Sequence, residues 1–351
     1  MVQRSTSFAF RMLAVTALGL AFGAAQAQYK ARLINPIGAT SSRAWAAYNG
    51  RQFGSAGSYP PRMACLWSGT SQSALPMTPT GWSVSFGFGI GGNQQVGAAN
   101  SVGTGYAYHA LMWLGSADNF VDLHPANYST SAAYGSDGFQ QTGQATTFDS
   151  IIHAVAWNGS AASVVDLHPA GYDESHSYNV WAGRQAGYAV TGGVSHAMVW
   201  SSSAASAVDL NGALSFSQAQ ALDATRQAGF GAGALTGGAT HALAWYGSAS
   251  SVVDLNPAGY SESYAYGAGK GVIVGYGRNA SLKVHALVWR GPNLAPLDLH
   301  PLLPAGYSAS YAYGVDPITG DVVGEAINSL GRYVAFIWIA PRTLGNPVPI
   351  G

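Results

Sequence analysis

The stretch HALAWYGSASSVVDLNPAGY, His241 to Tyr260, brings together the residue types of a nucleophilic triad or a metal site: a histidine, an aspartate 13 positions on, and serines between them. Either chemistry is built once, from unlike residues that converge on one point. The phrase, however, recurs as HALMW (109–113), HAVAW (153–157), HAMVW (196–200) and HALVW (285–289), with degenerate copies MACLW (63–67) and VAFIW (334–338). The spacing from His to Asp is 13 in all five full copies: His109/Asp122, His153/Asp166, His196/Asp209, His241/Asp254 and His285/Asp298. A pair built five times from like residues is read as a structural fastener. In an antiparallel hairpin an odd spacing allows the two side chains to lie opposite each other on one face, with the Trp four residues after the His on that face to shield them from water. Histidines supplied one per unit do not pool into a metal centre, so no metal and no cofactor is expected. His124, His168 and His300, in Leu-His-Pro turns, are read the same way. The loop serines satisfy local backbone groups. No Gly-x-Ser-x-Gly elbow is present, and glycine runs such as GGNQQVG lack the helix a phosphate loop needs.

The copies follow one another at 46, 44, 43, 45, 44 and 49 residues, and each unit reads as four short strands, for example SYAYG (263–267), GVIVGYG (271–277), HALVW and APLDL (295–299). Four strands per unit of this length is the period of a propeller blade. Seven copies predict an all-β, seven-bladed β-propeller. Near the start of the strand-rich region LINPIG (33–38) has a fourth-strand ending with no third strand before it, while VAFIW is followed only by the weak NPVPIG. The segment Tyr29 to Asn35 is therefore expected to complete the last blade and close the ring, leaving no open sheet edge.

Composition agrees with a turn-rich β protein: 46 glycines, 12% aromatic residues and only 9% charged residues, against a usual quarter or so charged. With 15 basic and 15 acidic residues and no charge runs, strong attraction to nucleic acid or an anionic membrane is not expected. Arg4 and Arg11, the apolar run Met12 to Ala25 and the Ala25-Gln26-Ala27 site read as a signal peptide over residues 1–27. A single propeller domain then covers 28–351, with no membrane span in the mature chain, exported to the periplasm or the extracellular space and expected to be a monomer. The lone Cys65 has no intramolecular disulfide partner.

The units His-Ala-Leu-x-Trp, Val-Asp-Leu, Ala-Tyr-Gly and Gln-x-Gly-Tyr resemble the HAF repeat of exported bacterial proteins, from about Arg43 to Ile339. Leu, Val or Met stands where that repeat has Phe, which survives only in VAFIW, where the His is lost. The resemblance implies export and a repeat architecture. It carries no catalytic residue across.

If the repeats are framework, a ligand is met by what departs from them or by a surface they build jointly. The turns before the innermost strands carry Trp82, Tyr128, Tyr172, Tyr260 and Tyr307, which in a ring lie around one face. They read as platforms for a glycan or, alternatively, as covers for the gaps between blades. The polar stretch YDESHS supplies Asp173, Glu174 and His176 as a second candidate for cation or acid–base chemistry. Glu262, at the same repeat position as Glu174, points instead to a solvated loop. The function expected is a non-enzymatic binding or scaffold module for a glycan or another protein. The alternative is an enzyme acting on a glycan at the channel mouth, which three or more charged residues converging there would favour.

Overall fold

A computed structural model describes residues 28–58 and 63–342; the expected signal segment and the C-terminal NPVPIG lie outside the described residues. The expected seven-bladed propeller is the observed fold: seven four-stranded antiparallel sheets, six of them formed from consecutive strands. The seventh blade takes Ala309–Val315, Val322–Ile327 and Tyr333–Ile339 from the end of the described chain and Lys30–Leu33 from its start, in register from Lys30 opposite Ile339 to Leu33 opposite Phe336.

Each blade contributes one fully buried tryptophan from its third strand: Trp67, Trp113, Trp157, Trp200, Trp245, Trp289 and Trp338. Burying a side chain of this size supplies a large apolar area per unit, so the core is seven similar inter-blade layers rather than one central cluster.

A serine early in every innermost strand joins neighbouring blades. Ser85, Ser131, Ser175, Ser217, Ser263, Ser310 and Ser42 each accept, at 2.9–3.0 Å, the backbone N–H that follows the His position of the preceding blade. The last of these, Ala335 to Ser42, crosses the closure of the ring. Each serine hydroxyl also bonds the middle residue of the Leu-x-Pro turn or its equivalent, at 2.6–2.9 Å: Thr78, His124, His168, Asn211, Asn256, His300 and Asn35. One short side chain thereby satisfies a buried donor from one blade and a turn side chain.

At the opposite end of the blades, Gln52, Gln95, Gln141, Gln185 and Gln227 are fully buried. Their amide oxygens accept from Gly69, Gly115, Gly159, Ser202 and Gly247 at 2.7–2.9 Å, clamping the loop that leads to the fourth strand. Loop serines act locally, as expected: the Ser251 hydroxyl accepts from the Tyr246 N–H at 2.8 Å and donates to the Ser248 carbonyl.

Every innermost strand carries a β-bulge. The pairing jumps over Trp45, Phe88, Tyr134, Tyr178, Gln220, Tyr266 and Tyr313, which have no partner on the second strand. The second strand has glycine beside each jump, at Gly54, Gly97, Gly143, Gly187, Gly229, Gly275 and Gly324. An added Cβ there would sit 1.9–2.0 Å from a carbonyl oxygen of the bulged strand. The glycines thus make room for the bulge, and the bulge re-aims one side chain per blade.

Candidate functional site in the axial channel

The five His–Asp pairs are hydrogen bonded through His Nδ1 and Asp Oδ2 at 2.6–2.8 Å. Their geometry differs from the expected direct opposition. Asp122 stands across from Leu111, two residues beyond His109, and the other four pairs share this diagonal offset. Nor does the tryptophan exclude water, because the aspartates keep 27–45% of their side-chain surface exposed. The rings that cover the histidines are other histidines: His124 on His109, His168 on His153 and His300 on His285, with centroids 3.9–4.2 Å apart. The second carboxylate oxygen accepts the N–H of the turn residue two positions on, at 2.7–2.9 Å. In the two blades without a pair both partners are replaced together, by Met63 with Pro76 and by Val334 with Leu33.

The aromatic turns join this framework. The hydroxyls of Tyr128, Tyr172 and Tyr260 donate to Asp166, Asp209 and Asp298 at 3.3, 3.0 and 3.1 Å. Burial and these carboxylates push the Tyr128 and Tyr172 phenols up to about 12. Tyr128 is 6% exposed. Trp82 packs edge-on against His109 and Phe120, and Tyr307 against Phe336. These residues fill the joints between turns and blades, and the hydroxyls of Tyr128, Tyr172 and Tyr260 are already engaged.

Asp298 binds three groups, the His285 ring, the His300 N–H and the Tyr260 hydroxyl, whereas Asp254 binds only His241 and the Asn256 N–H. Asp298→Ala is expected to cost about 1–3 kcal/mol in urea unfolding, more than Asp254→Ala. In both variants unfolding should remain a single transition.

The YDESHS stretch is not the solvated loop expected. Glu174 opens the innermost strand Glu174–Trp181, while Asp173 just before it caps the Gly192 N–H at 2.9 Å. His176 is 7% exposed, stacked on Tyr188 at 4.5 Å, bonded through Nδ1 to Gln144 at 2.7 Å and 3.5 Å from Glu174 through Nε2. Burial lowers its pKa, with Glu174 opposing. Among the described residues no three His, Cys, Asp or Glu side chains gather closely enough to hold a metal ion.

The site that reading the turns missed lies on the axis. A cavity of about 320 Å³ is lined by residues from all seven innermost strands, so it can only be the central channel. Its wall includes the seven bulged residues, six of them aromatic and the seventh Gln220. Neighbouring rings touch around the channel: Trp45 with Tyr313 at 4.4 Å, Phe88 with Tyr134 at 5.0 Å, Tyr134 with Tyr178 at 5.4 Å and Tyr266 with Tyr313 at 5.6 Å. The hydroxyls turn away to groups nearer the His–Asp face, Tyr313 donating to Glu325 at 2.9 Å and Tyr266 meeting the Tyr276 hydroxyl at 3.4 Å. The cavity opens toward the hairpins between first and second strands, where Asp137 and Trp181 join its wall. A sequence signal for this site exists: Ser-x-small-aromatic in six blades, as in Ser42-Arg43-Ala44-Trp45 and Ser263-Tyr264-Ala265-Tyr266, and Ser217-Gln218-Ala219-Gln220 in the other.

Beyond the aromatic level, toward the His–Asp face, the innermost strands and their hairpin partners carry more charge than Ser, Ala and Tyr alone. Arg43 Nε lies 2.9 Å from Glu325, and Arg278 Nε 2.6 Å from Glu262. Arg43 also lies over the Tyr333 and Trp45 rings, at 4.5 and 5.8 Å. Glu325 is 1% exposed, and burial raises its pKa to about 7 against the opposing pull of Arg43 and Tyr313. Every one of these charges has a partner. Arg43 and Glu325 do not line the cavity; they stand behind Trp45 and Tyr313.

No family model and no curated protein matches the chain. Solved structures do. The β-propeller domain of the Trilobed protease from Pyrococcus furiosus is 9% identical with a TM-score of 0.55, over 91% of this chain and all of that one. A puromycin hydrolase S511A mutant is 14% identical with a TM-score of 0.53, over 90% of this chain, and a prolyl endopeptidase is 10% identical with a TM-score of 0.54, again over 90%. This chain spans about half the length of those two peptidase chains, at 52% and 51%. At these identities the likeness is one of fold.

Proposed function

We propose that the chain is an exported, non-enzymatic binding module of the HAF-repeat kind, working in the periplasm or outside the cell, whose ligand enters the axial cavity. The observation that carries this reading is the aromatic residue aimed at the channel by a bulge in six blades of seven. Framework residues need no opening, whereas these rings surround space of the size a small ligand occupies. The ligand contact expected of the Tyr-bearing turns is better assigned to this end of the molecule, because Tyr128, Tyr172 and Tyr260 already spend their hydroxyls on aspartates.

Ligand-observed NMR of the mature protein against a mixed set of small molecules tests the site. Compounds that bind are expected to be lost from Gln220→Trp, which fills the cavity from its one non-aromatic position, and retained by Tyr172→Phe on the opposite face. Loss from the second variant and not the first would move the site back to the turns.

The alternative of a glycan-directed enzyme is favoured by one observation. Four charged side chains, Arg43, Glu262, Arg278 and Glu325, flank the channel, and Glu325 holds its proton near neutral pH. A general acid needs that property, but it must also reach its substrate, and Glu325 is enclosed behind Tyr313. Cleavage of envelope polysaccharide that disappears in Glu325→Gln would establish the enzyme.

A further inference from the structure

We propose that the axial cavity is an aromatic cage for an organic cation, a trimethylammonium head being the group that fits it. This rests on the cavity being the ligand site, and it names the chemistry of the ligand.

Three features of the wall point to a cation. The first is the rings themselves: six aromatic side chains at one level of the channel, neighbours 4.4–5.6 Å apart where they touch. A cation near an aromatic face is attracted by its quadrupole, more strongly where water is excluded. The protein already uses this attraction on one of these rings, since the Arg43 guanidinium lies 5.8 Å from the Trp45 centroid.

The second is charge. No Lys or Arg lines the cavity, and Asp137 at its mouth is the one carboxylate there. Asp137 accepts from the N–H groups of Phe139, Gln140 and Ala182, which fix it in place without cancelling its charge. Toward the other end of the channel Glu325 pairs with Arg43 and Glu262 with Arg278, while Glu174 lies beside His176, which burial holds toward its neutral form. The cavity wall therefore carries one carboxylate and no cation in a chain whose formal net charge is zero.

The third is the shortage of free hydrogen-bond partners at the level of the rings, since Ser136, Asp137 and Asn179 stand nearer the mouth. Tyr313 and Tyr266 direct their hydroxyls to Glu325 and Tyr276, and the Gln220 amide donates to Gln218 at 3.2 Å. A sugar held among the rings would leave several hydroxyls unpaired, at a cost of about 1–3 kcal/mol each. A quaternary ammonium makes no hydrogen-bond demand and meets the rings through its methyl groups.

The test is calorimetric titration of the mature protein with choline, tetramethylammonium and 3,3-dimethyl-1-butanol, the uncharged counterpart of choline, with methyl glycosides alongside. Choline is expected to bind at least tenfold more tightly than its neutral counterpart. Gln220→Lys, which adds a cation to the wall and removes no ring, should abolish choline binding and leave melting temperature unchanged. Tyr178→Leu, which keeps an apolar side chain and removes a π face, should weaken choline at least fivefold. Sedimentation with phosphatidylcholine vesicles distinguishes a lipid-borne head group, which pulls the protein down and releases it to free choline, from a soluble ligand, which leaves it in the supernatant. Equal binding of choline and its neutral counterpart, or binding of a glycoside lost in Gln220→Trp, would overturn the cation while leaving the cavity as the site. No binding of any probe, with other compounds indifferent to Gln220→Trp, overturns both.

Discussion

Removing residues 28–35 from a chain that begins at Gln28 is expected to destabilise the whole ring by on the order of 5 kcal/mol or more, from a total that for domains is about 5–15 kcal/mol. The segment supplies the fourth strand of the last blade, paired over four residues with Tyr333–Ile339. It also carries Ile34, fully buried and bonded through its N–H to Ala335 at 2.9 Å, and Asn35, whose side chain takes the Ser42 hydroxyl at 2.6 Å. Losing a buried side chain of this kind alone costs about 2–5 kcal/mol. The deletion also bares the edge of Tyr333–Ile339, a strand with five consecutive buried residues, and an apolar open edge invites pairing with another chain. Urea unfolding should show a lower midpoint, and size-exclusion chromatography should show association that a synthetic peptide of residues 28–37 reverses. A monomer of unchanged midpoint would mean that the inter-blade serine bonds close the ring without the strand.

The ring was legible because one phrase recurs at nearly constant spacing, and because LINPIG is a fourth strand without a third. Less could be read from within a blade. The spacing of 13 placed His and Asp on one face, but the diagonal offset depends on where the two-residue fourth strands such as Val253–Asp254 begin to pair. The channel site was hidden by the bulge. Simple alternation puts Arg43 and Trp45 on the same face as any i, i+2 pair, and only the skipped pairing sets Trp45 apart. The Arg43–Glu325 pair joins opposite ends of the sequence and became visible only once the ring was closed. Ser-x-small-aromatic was present throughout in six blades, but its serine and its aromatic residue do different work, one between blades and one on the axis.

A second large effect is expected from acidification. His124, His168 and His300 have pKa values lowered first by burial and then by the stacked His109, His153 and His285. His176 is lowered by burial as well. The unfolded chain protonates these rings near the ordinary value of about 6.5, while the folded chain resists. Below that pH the unfolded state binds more protons, so the stability is present in full above about 6.5 and is lost as pH falls through the lowered folded values. Glu325 acts in the opposite sense. Raised to about 7, it keeps its proton in the fold where the unfolded chain would give it up, so its contribution is favourable at low pH and lost as pH rises through about 7. The four histidines should lower the melting temperature between pH 7.5 and 5, with Glu325 opposing that fall. Glu325→Gln should make that fall steeper. The triple variant His124→Asn, His168→Asn, His300→Asn should flatten it without losing the inter-blade bonds, because the protein already uses Asn211 and Asn256 to bind Ser217 and Ser263 at the same position. A triple variant that melts with the wild-type pH dependence would place the acid sensitivity elsewhere, with His176 and its Glu174 partner the next pair to remove.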